Sequence, residues 1–265
     1  PEDISKQVAI LMQGVDELKP GGADALESLL KKAQEEGRQL RVKLGIDPTS
    51  SDLHLGHMVC IQKLKQFQDL GHLPVLILGG YTAQVGDPSG RNEMRPPLTA
   101  EEVLKHAETY LDQVEKVIDL SKTEVVNNAT WFGKFTMTNM LQLSSRFTVN
   151  QMIAKDAFGK RLDAGSPLYV HEILYPLLQG YDSVEVKADI ELGGTDQTFN
   201  LMVGRDLQKA YCQAQQLAMT LPLLVGLDGS KKMSKTSENY IALNDSAKEI
   251  FGKVMSIPDD LIMDY

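Results

Sequence analysis

The sequence predicts an α/β fold built on a parallel sheet, and three features carry that expectation. Residues 40–46 alternate as a strand does, residues 74–78 are continuously apolar like a strand covered on both faces, and a helix-length segment joins the two through short links. Strand, helix and strand in that order make a βαβ unit. The length of 265 residues allows one large α/β domain, or one with a substantial insertion.

Taken in order, residues 4–36 read as two helices divided by Lys19-Pro20-Gly21-Gly22, an N-terminal helical arm over 1–36 that Gly37 closes. After the first strand and Asp47-Pro48-Thr49, the Ser50-Ser51-Asp52 cluster offers N-caps for a helix over 53–70, ended by Gly71. A loop rich in Gly and Pro occupies 79–97, and Thr99-Ala100-Glu101-Glu102 then opens a helix with a capping-box pattern. Glu124-Val125-Val126 suggests another strand. Residues 135–161 read as helices, an insertion of about 130–165 between two halves of the sheet. Residues 184–191 alternate again, a helix follows over 200–210, and 219–224 is a late apolar strand. The central domain is thus drawn over 37–240, with 241–265 the start of a helical C-terminal region whose remainder is absent.

Composition sets outer bounds. With 42% hydrophobic and 24% charged residues the chain reads as folded. A net charge of −9 argues against coating nucleic acid through a general basic surface, so an RNA partner would need a local basic patch. No apolar run approaches the roughly 18 residues of a membrane span. The acidic, helix-like N-terminus does not read as a signal peptide, and Cys60 and Cys212 stand far apart. A reduced, cytoplasmic protein without a structural metal is expected.

The most specific local signal is His54-Leu55-Gly56-His57, at the start of the first helix of the βαβ unit. Two histidines at i and i+3 share a helix face, Gly56 leaves room for a nucleotide against the backbone, and helix N-termini attract phosphates. The tetrapeptide alone would equally suit surface or metal-binding histidines. Lys231-Lys232-Met233-Ser234-Lys235-Thr236 lies about 175 residues downstream in a Gly- and Ser-bearing stretch. Such a loop suits neutralisation of a polyphosphate as pyrophosphate leaves, although a lysine run by itself is ordinarily a solvated loop. Tyr175, Gln179 and Asp182 fall at i, i+4 and i+7, a polar stripe among Leu174, Leu177 and Leu178 that either lines a pocket or faces water. Asp47 directly follows the first strand before a proline, where a turn residue is common.

Taken together, the histidine and lysine segments are similar to the two signatures of class I aminoacyl-tRNA synthetases. The resemblance runs from about Arg41 to Tyr240 and narrows to the tyrosyl enzymes of the bacterial subgroup with a Lys-Met-Ser-Lys loop. Gly86-Asp87-Pro88-Ser89-Gly90, the Tyr175, Gln179 and Asp182 stripe, and Gly193-Gly194-Thr195-Asp196-Gln197 carry that narrowing. It implies a Rossmann-type parallel sheet split by a helical insertion used for homodimerisation. The implied activity is activation of tyrosine with ATP and transfer of the tyrosyl group to tRNA(Tyr).

By the same resemblance, Asp182 accepts the substrate hydroxyl, Tyr175, Gln179 and Asp87 bind its ammonium, Gln197 sits near its carboxylate, and Asp47 belongs to the pocket. Gly45 and Gly56 lie under the nucleotide, Gly194 and Asp196 meet its ribose, and Leu223 and Leu224 meet the adenine. Met233 and Ser234 complete the ATP site. Catalysis is assigned to His54, His57, Lys232, Lys235, Arg91 and Arg95, with Mg²⁺ accompanying ATP. Lys43 stands where many tyrosyl enzymes carry a tyrosine, which leaves its part in the pocket open, and Thr236 replaces a serine while keeping the hydroxyl. Full-length relatives continue into RNA-binding domains, so weak tRNA binding is expected of this stretch. Two other readings are a different class I nucleotidyl-transfer enzyme and a non-enzymatic RNA-binding protein on the same fold.

Overall fold

The computed structural model describes residues 3–89 and 98–265. An N-terminal arm carries helix α1 (Ile4–Met12), the short strand β1 (Glu17–Lys19) and helix α2 (Gly22–Glu35). Then come β2 (Arg41–Ile46), α3 (Leu55–Asp69), β3 (Leu73–Leu78), a single turn α4 (Thr82–Val85), α5 (Ala100–Val114) and β4 (Glu124–Asn127). The insertion holds α6 (Ala129–Phe132), α7 (Met137–Ser144), α8 (Val149–Ile153) and α9 (Asp156–Asp163). Helix α10 (Val170–Glu185), β5 (Ile190–Gly194), α11 (Thr198–Ala210), β6 (Leu217–Leu221) and α12 (Ala247–Met255) complete the order.

The six strands form one sheet in the order β1-β6-β5-β2-β3-β4, in which only β1 is antiparallel to its neighbour. From β2 the chain winds outward through β3 to β4, then crosses back to β5 on the other side of β2. That reversal is a topological switch point, and it opens a crevice at the carboxyl ends of β2 and β5. The α/β class and parallel sheet expected from the sequence are thus observed.

One core cluster joins the arm to the sheet and α3 through Leu11, Leu26, Leu30, Val42, Ile61, Phe67 and Met219. A second, with Leu143, Met152, Leu177, Val203 and Leu207, packs the insertion against α10 and α11. Lys63 of α3 fastens the arm, its Nζ donating to the carbonyls of Leu11 at 3.0 Å and Gln13 at 2.7 Å, which serves the unpaired C-terminal end of α1.

Four local expectations are corrected. Residues 184–191 are not one strand: α10 runs on to Glu185, Lys187 turns the chain with φ 50°, and pairing starts at Ile190. Val184 sits a helical turn beyond Gly180 and Tyr181, so its burial fits period 3.6 as well as period 2. Helix α3 is N-capped by His54, not by the Ser50-Ser51-Asp52 cluster. The late strand ends at Leu221, because Pro222 brings no N–H to the ladder. The arm is not purely helical, since Glu17, Leu18 and Lys19 pair with Thr220, Met219 and Ala218.

The central strands carry a buried ion pair. Lys43 of β2 lies opposite Glu191 of β5 in the register, both essentially without exposure, and Lys43 Nζ meets Glu191 Oε1 at 2.8 Å. Removing one partner of such a pair strands the other charge. Lys43→Met should therefore cost about 3–5 kcal/mol of stability in urea unfolding. Adding Glu191→Gln, which removes the stranded charge and keeps an acceptor, should restore part of that loss.

Candidate active site

Gly45 shows where the crevice opens. It lies in the middle of the sheet in β2 yet is exposed, and a Cβ built there would meet nothing within 4 Å. Directly beyond β2, Asp47 accepts from Thr82 Oγ1 at 2.7 Å through Oδ1 and from the Tyr175 hydroxyl at 2.8 Å through Oδ2. A side chain at Gly79 would fall 1.9 Å from Asp47 Oδ1, so only glycine lets this carboxylate sit against the end of β3.

On α10, Tyr175 and Asp182 are buried and Gln179 is half-buried, one face turned to the sheet. Asp182 accepts from Asn128 Nδ2 at 3.2 Å and from Trp131 Nε1 at 3.0 Å. Burial pushes its pKa up to about 7, against the opposing pull of the Lys43 ammonium and those two N–H donors. Asp87 behaves oppositely. Burial alone would raise it, but the Lys155 ammonium and hydrogen bonds from Ser89 and Gln197 hold it below the usual carboxylate range. Gln197 Nε2 donates to Asp87 Oδ2 at 2.8 Å, and the Ser89 N–H to Asp87 Oδ1 at 2.9 Å.

The histidine pair sits at the N-terminus of α3 with ring centroids 4.0 Å apart. The His54 backbone N–H donates to His57 Nδ1 at 3.2 Å, which assigns the His57 proton to Nε2. Burial, then the Lys235 and Lys232 charges, push His54 down to about 4, and burial holds His57 well below its ordinary value. Both rings are therefore neutral at physiological pH and act as N–H donors or acceptors. His54 Nδ1 is buried and without a hydrogen-bond partner among the described residues.

Backbone pairing brings the lysine segment to this pair. The Leu55 N–H donates to the Ile241 carbonyl at 3.0 Å and the Leu243 N–H to that of Leu53 at 2.9 Å, so the chain leaving the lysine segment runs antiparallel to the entry of α3. Lys232 Nζ pairs with Asp196 Oδ2 at 2.5 Å, and Lys235 Nζ lies 3.5 Å from Asp52 Oδ2. Met233 is buried, and the Ser234 N–H donates to Asn239 Oδ1 at 2.8 Å. Leu223 packs over Gly194, where a Cβ would stand 2.6 Å from Leu223 Cδ2, and the Leu224 carbonyl accepts from the Met233 N–H at 2.8 Å.

Residues 34–265 match the family model of class I tRNA synthetases (W and Y). The chain belongs to that family. Tyrosine--tRNA ligases of Carboxydothermus hydrogenoformans and Mannheimia succiniciproducens are 51% and 52% identical to it, over 100% and 99% of this chain and 64% and 65% of their own. The chain thus spans just under two thirds of these relatives. Among solved structures, the tyrosyl-tRNA synthetase of Archaeoglobus fulgidus complexed with L-tyrosine aligns with TM-score 0.79 at 24% identity, covering 97% of this chain and 75% of that one. A C-terminally truncated mitochondrial enzyme of Aspergillus nidulans gives 0.78 at 19%, over 98% and 78%. These two likenesses are of fold.

Within this class I synthetase crevice, Lys43 and Gly56 are engaged by the protein itself, and several further residues join them. All three Nζ protons of Lys43 are in use, donating to the Gln179 carbonyl at 2.8 Å, Ser183 Oγ at 2.7 Å and Glu191, so none remains for a ligand. It stands behind the pocket. Gly56 makes room first for protein: a Cβ there would lie 2.9 Å from the His54 ring and 3.7 Å from Met233. Arg91 and Arg95 lie outside the described residues. Among those described, no group of three or more His, Cys, Asp or Glu side chains is arranged to hold a metal ion. The sequence reading missed Asn128, Trp131, Lys155, Asn200 and Asn239. Asn128, just after the end of β4, is the one whose place near a strand's carboxyl end could have drawn attention.

Asn239 is the fastener of the lysine segment. Its side chain donates to Asp228 Oδ2 at 2.7 Å and to the carbonyls of Lys231 at 3.3 Å and Lys232 at 3.2 Å, while accepting from Ser234. Asn239→Ala should speed hydrogen exchange of amides in 226–239 by about tenfold or more while leaving the sheet protected. Unchanged exchange there would show that the segment is held by other contacts.

Proposed function

We propose that the longer protein to which this chain belongs is a tyrosine--tRNA ligase, and that this domain forms tyrosyl-adenylate from tyrosine and ATP. The observation that carries the reading is Asp182, a buried carboxylate that already takes two N–H donors and stands on one helix face with Tyr175 and Gln179. Each carboxylate oxygen keeps a further lone pair, so Asp182 suits a phenolic O–H. Tyr175 gives its proton to Asp47, leaving its oxygen as an acceptor for an ammonium together with Gln179 and Asp87. Asp47 thereby orients the pocket, and Gln197 lies where the substrate carboxylate would be steered.

The chemistry needs no covalent enzyme intermediate. A carboxylate oxygen of tyrosine attacks the α-phosphorus of ATP, the new C–O–P linkage forms, and the α–β bridging bond breaks to release pyrophosphate. ATP enters with Mg²⁺ on its phosphates as part of the substrate. Gly45 and Gly56, with Leu223 and Leu224, form the nucleotide floor, Gly194 and Asp196 serve the ribose, and Met233 and Ser234 set the lysines. Neutral His54 and His57 act through N–H donation at the developing phosphorane, while Lys232 and Lys235, with Arg91 and Arg95, supply positive charge. Lys232 must release Asp196 to reach phosphate, an exchange that couples ribose binding to the lysine segment.

With net charge −9 the domain alone should hold tRNA(Tyr) weakly. Exposed Met137, Leu141, Val149 and Val170 on the insertion and the start of α10 favour a homodimer through that face. Among the described residues no helix is long and apolar enough to cross a membrane, and the cytoplasm is the proposed location.

Tyrosine-dependent exchange of pyrophosphate into ATP tests the activity, and its absence in the parent protein would overturn the reading. Asp182→Asn should collapse discrimination against phenylalanine, because the parent leaves a buried carboxylate one donor short when the hydroxyl is missing, a penalty of about 1–3 kcal/mol. The pH dependence has a definite sign. The folded pKa of Asp182 is raised, so the proton stays on below about 7, whereas a phenol donating to it needs the anion. Tyrosine affinity should therefore fall as pH drops through about 7, with proton release on binding in calorimetry. Asp182→Asn should remove that dependence.

A further inference from the structure

Lys155 lies in the insertion between α8 and α9 and is 3% exposed. Its Nζ donates to Ser89 Oγ at 2.7 Å and Asn200 Oδ1 at 2.9 Å, both neutral acceptors, and stands 5.2 Å from the Phe158 ring centroid. Burying an ammonium among neutral groups is costly, and the reaction as derived above gives it no part.

The hydrogen bonds that leave it run in one direction. Lysine only donates, so Asn200 must turn Oδ1 towards it. Asn200 Nδ2 then faces Oε1 of Gln179 at 2.8 Å and of Gln197 at 3.1 Å. Each glutamine in turn points Nε2 at a carboxylate, Gln179 at Glu191 Oε1 at 3.1 Å and Gln197 at Asp87 Oδ2 at 2.8 Å. Three amides, each able to flip, are ordered by a cation at one end and carboxylates at the other.

We propose that Lys155 is a positioning residue for the substrate's ammonium group: through Asn200 it fixes which way the side-chain amides of Gln179 and Gln197 face, and through Gln197 it acts on Asp87. This rests on the reading of Asp87, Tyr175 and Gln179 as the ammonium site. The electrostatics agree, since Lys155 leads the influences that offset the burial of Asp87. Among the described residues the groups acting on Tyr175 and Lys155 are acids: Asp47, Asp87 and Asp182 on the phenol, Asp87 and Asp196 on the ammonium, while the cations Lys43 and Lys232 are engaged with Glu191 and Asp196. Among the described residues, Lys155 is the cation that acts on Asp87 to keep it ionised.

Two probes separate this site from Asp182. Tyramine and 4-(2-hydroxyethyl)phenol share the phenol and differ in the ammonium, so the ratio of their affinities, measured by calorimetry from about pH 5.5 to about pH 8, reports the ammonium site alone. In the parent the ratio should favour tyramine and stay nearly flat. In Lys155→Met it should fall roughly tenfold or more at neutral pH and fall further towards acid. Lys155→Gln keeps a donor for Asn200, so it should recover most of the ratio at the alkaline end while retaining the acid fall. It also carries the test if Lys155→Met does not fold. A variant ratio equal to the parent's at every pH, or equal losses for both probes, would overturn the role of Lys155. A parent that binds neither probe, or shows no preference for tyramine, would instead count against the tyrosine reading.

Discussion

The Lys43–Glu191 pair holds together the place where the sheet reverses direction. It joins β2 to β5 at the switch point, and the carboxylate's remaining capacity is taken by Gln179, Ser183 and Gln216, so one buried anion also ties α10 and the residue leading into β6. Low dielectric makes such a cluster strong when complete and costly when any member is missing. The strand ends that carry Asp47, Gly194 and Asp196 keep their spacing because this pair fixes the strands beneath them. Lys43 also draws Asp182 downward against burial, so the same cation shapes the pocket without entering it.

Asp87 and Asp182 show how environment divides two like groups. Asp182 is buried and Asp87 half-buried. Asp87 has a buried ammonium and an N–H of its own loop, whereas Asp182 has neutral donors and a lysine already engaged elsewhere. One is therefore held as a fixed anion, while the other titrates at about 7 and can lose or keep its proton near neutral pH. The neutral state of the histidines has the same origin: desolvation first, then two nearby lysines.

Much of this was legible in the chain because period and punctuation agree. The apolar run of β3 and the capping box at Thr99 and Glu102 were read correctly, and the i, i+4, i+7 stripe does fall on one helix, α10. The region 184–191 misled because valines and alanine at every second position also satisfy a helix end, and only Lys187 in the left-handed region breaks the two apart. Lys155, Asn200 and Asn239 were invisible for another reason. A lysine in an amphipathic insertion, or an asparagine in a loop, acquires its meaning from partners 45, 66 or some other number of residues away. The part of Lys43 stayed open for the same reason, since nothing local announces a register partner in β5.

The antiparallel strand β1 has a consequence outside catalysis. A parallel sheet of five strands would end at β6 with an open row of amide and carbonyl groups, the kind of edge on which a second chain can add itself. Here three residues of the arm occupy that row, Asp16 reaches the Thr220 carbonyl at 2.9 Å, and Leu18 is turned inward while Glu17 and Lys19 face water. The arm is short, charged on its outer side and followed directly by Pro20, which offers no amide to continue the ladder. With its groups paired, that edge of β6 offers no further row for a second chain to join.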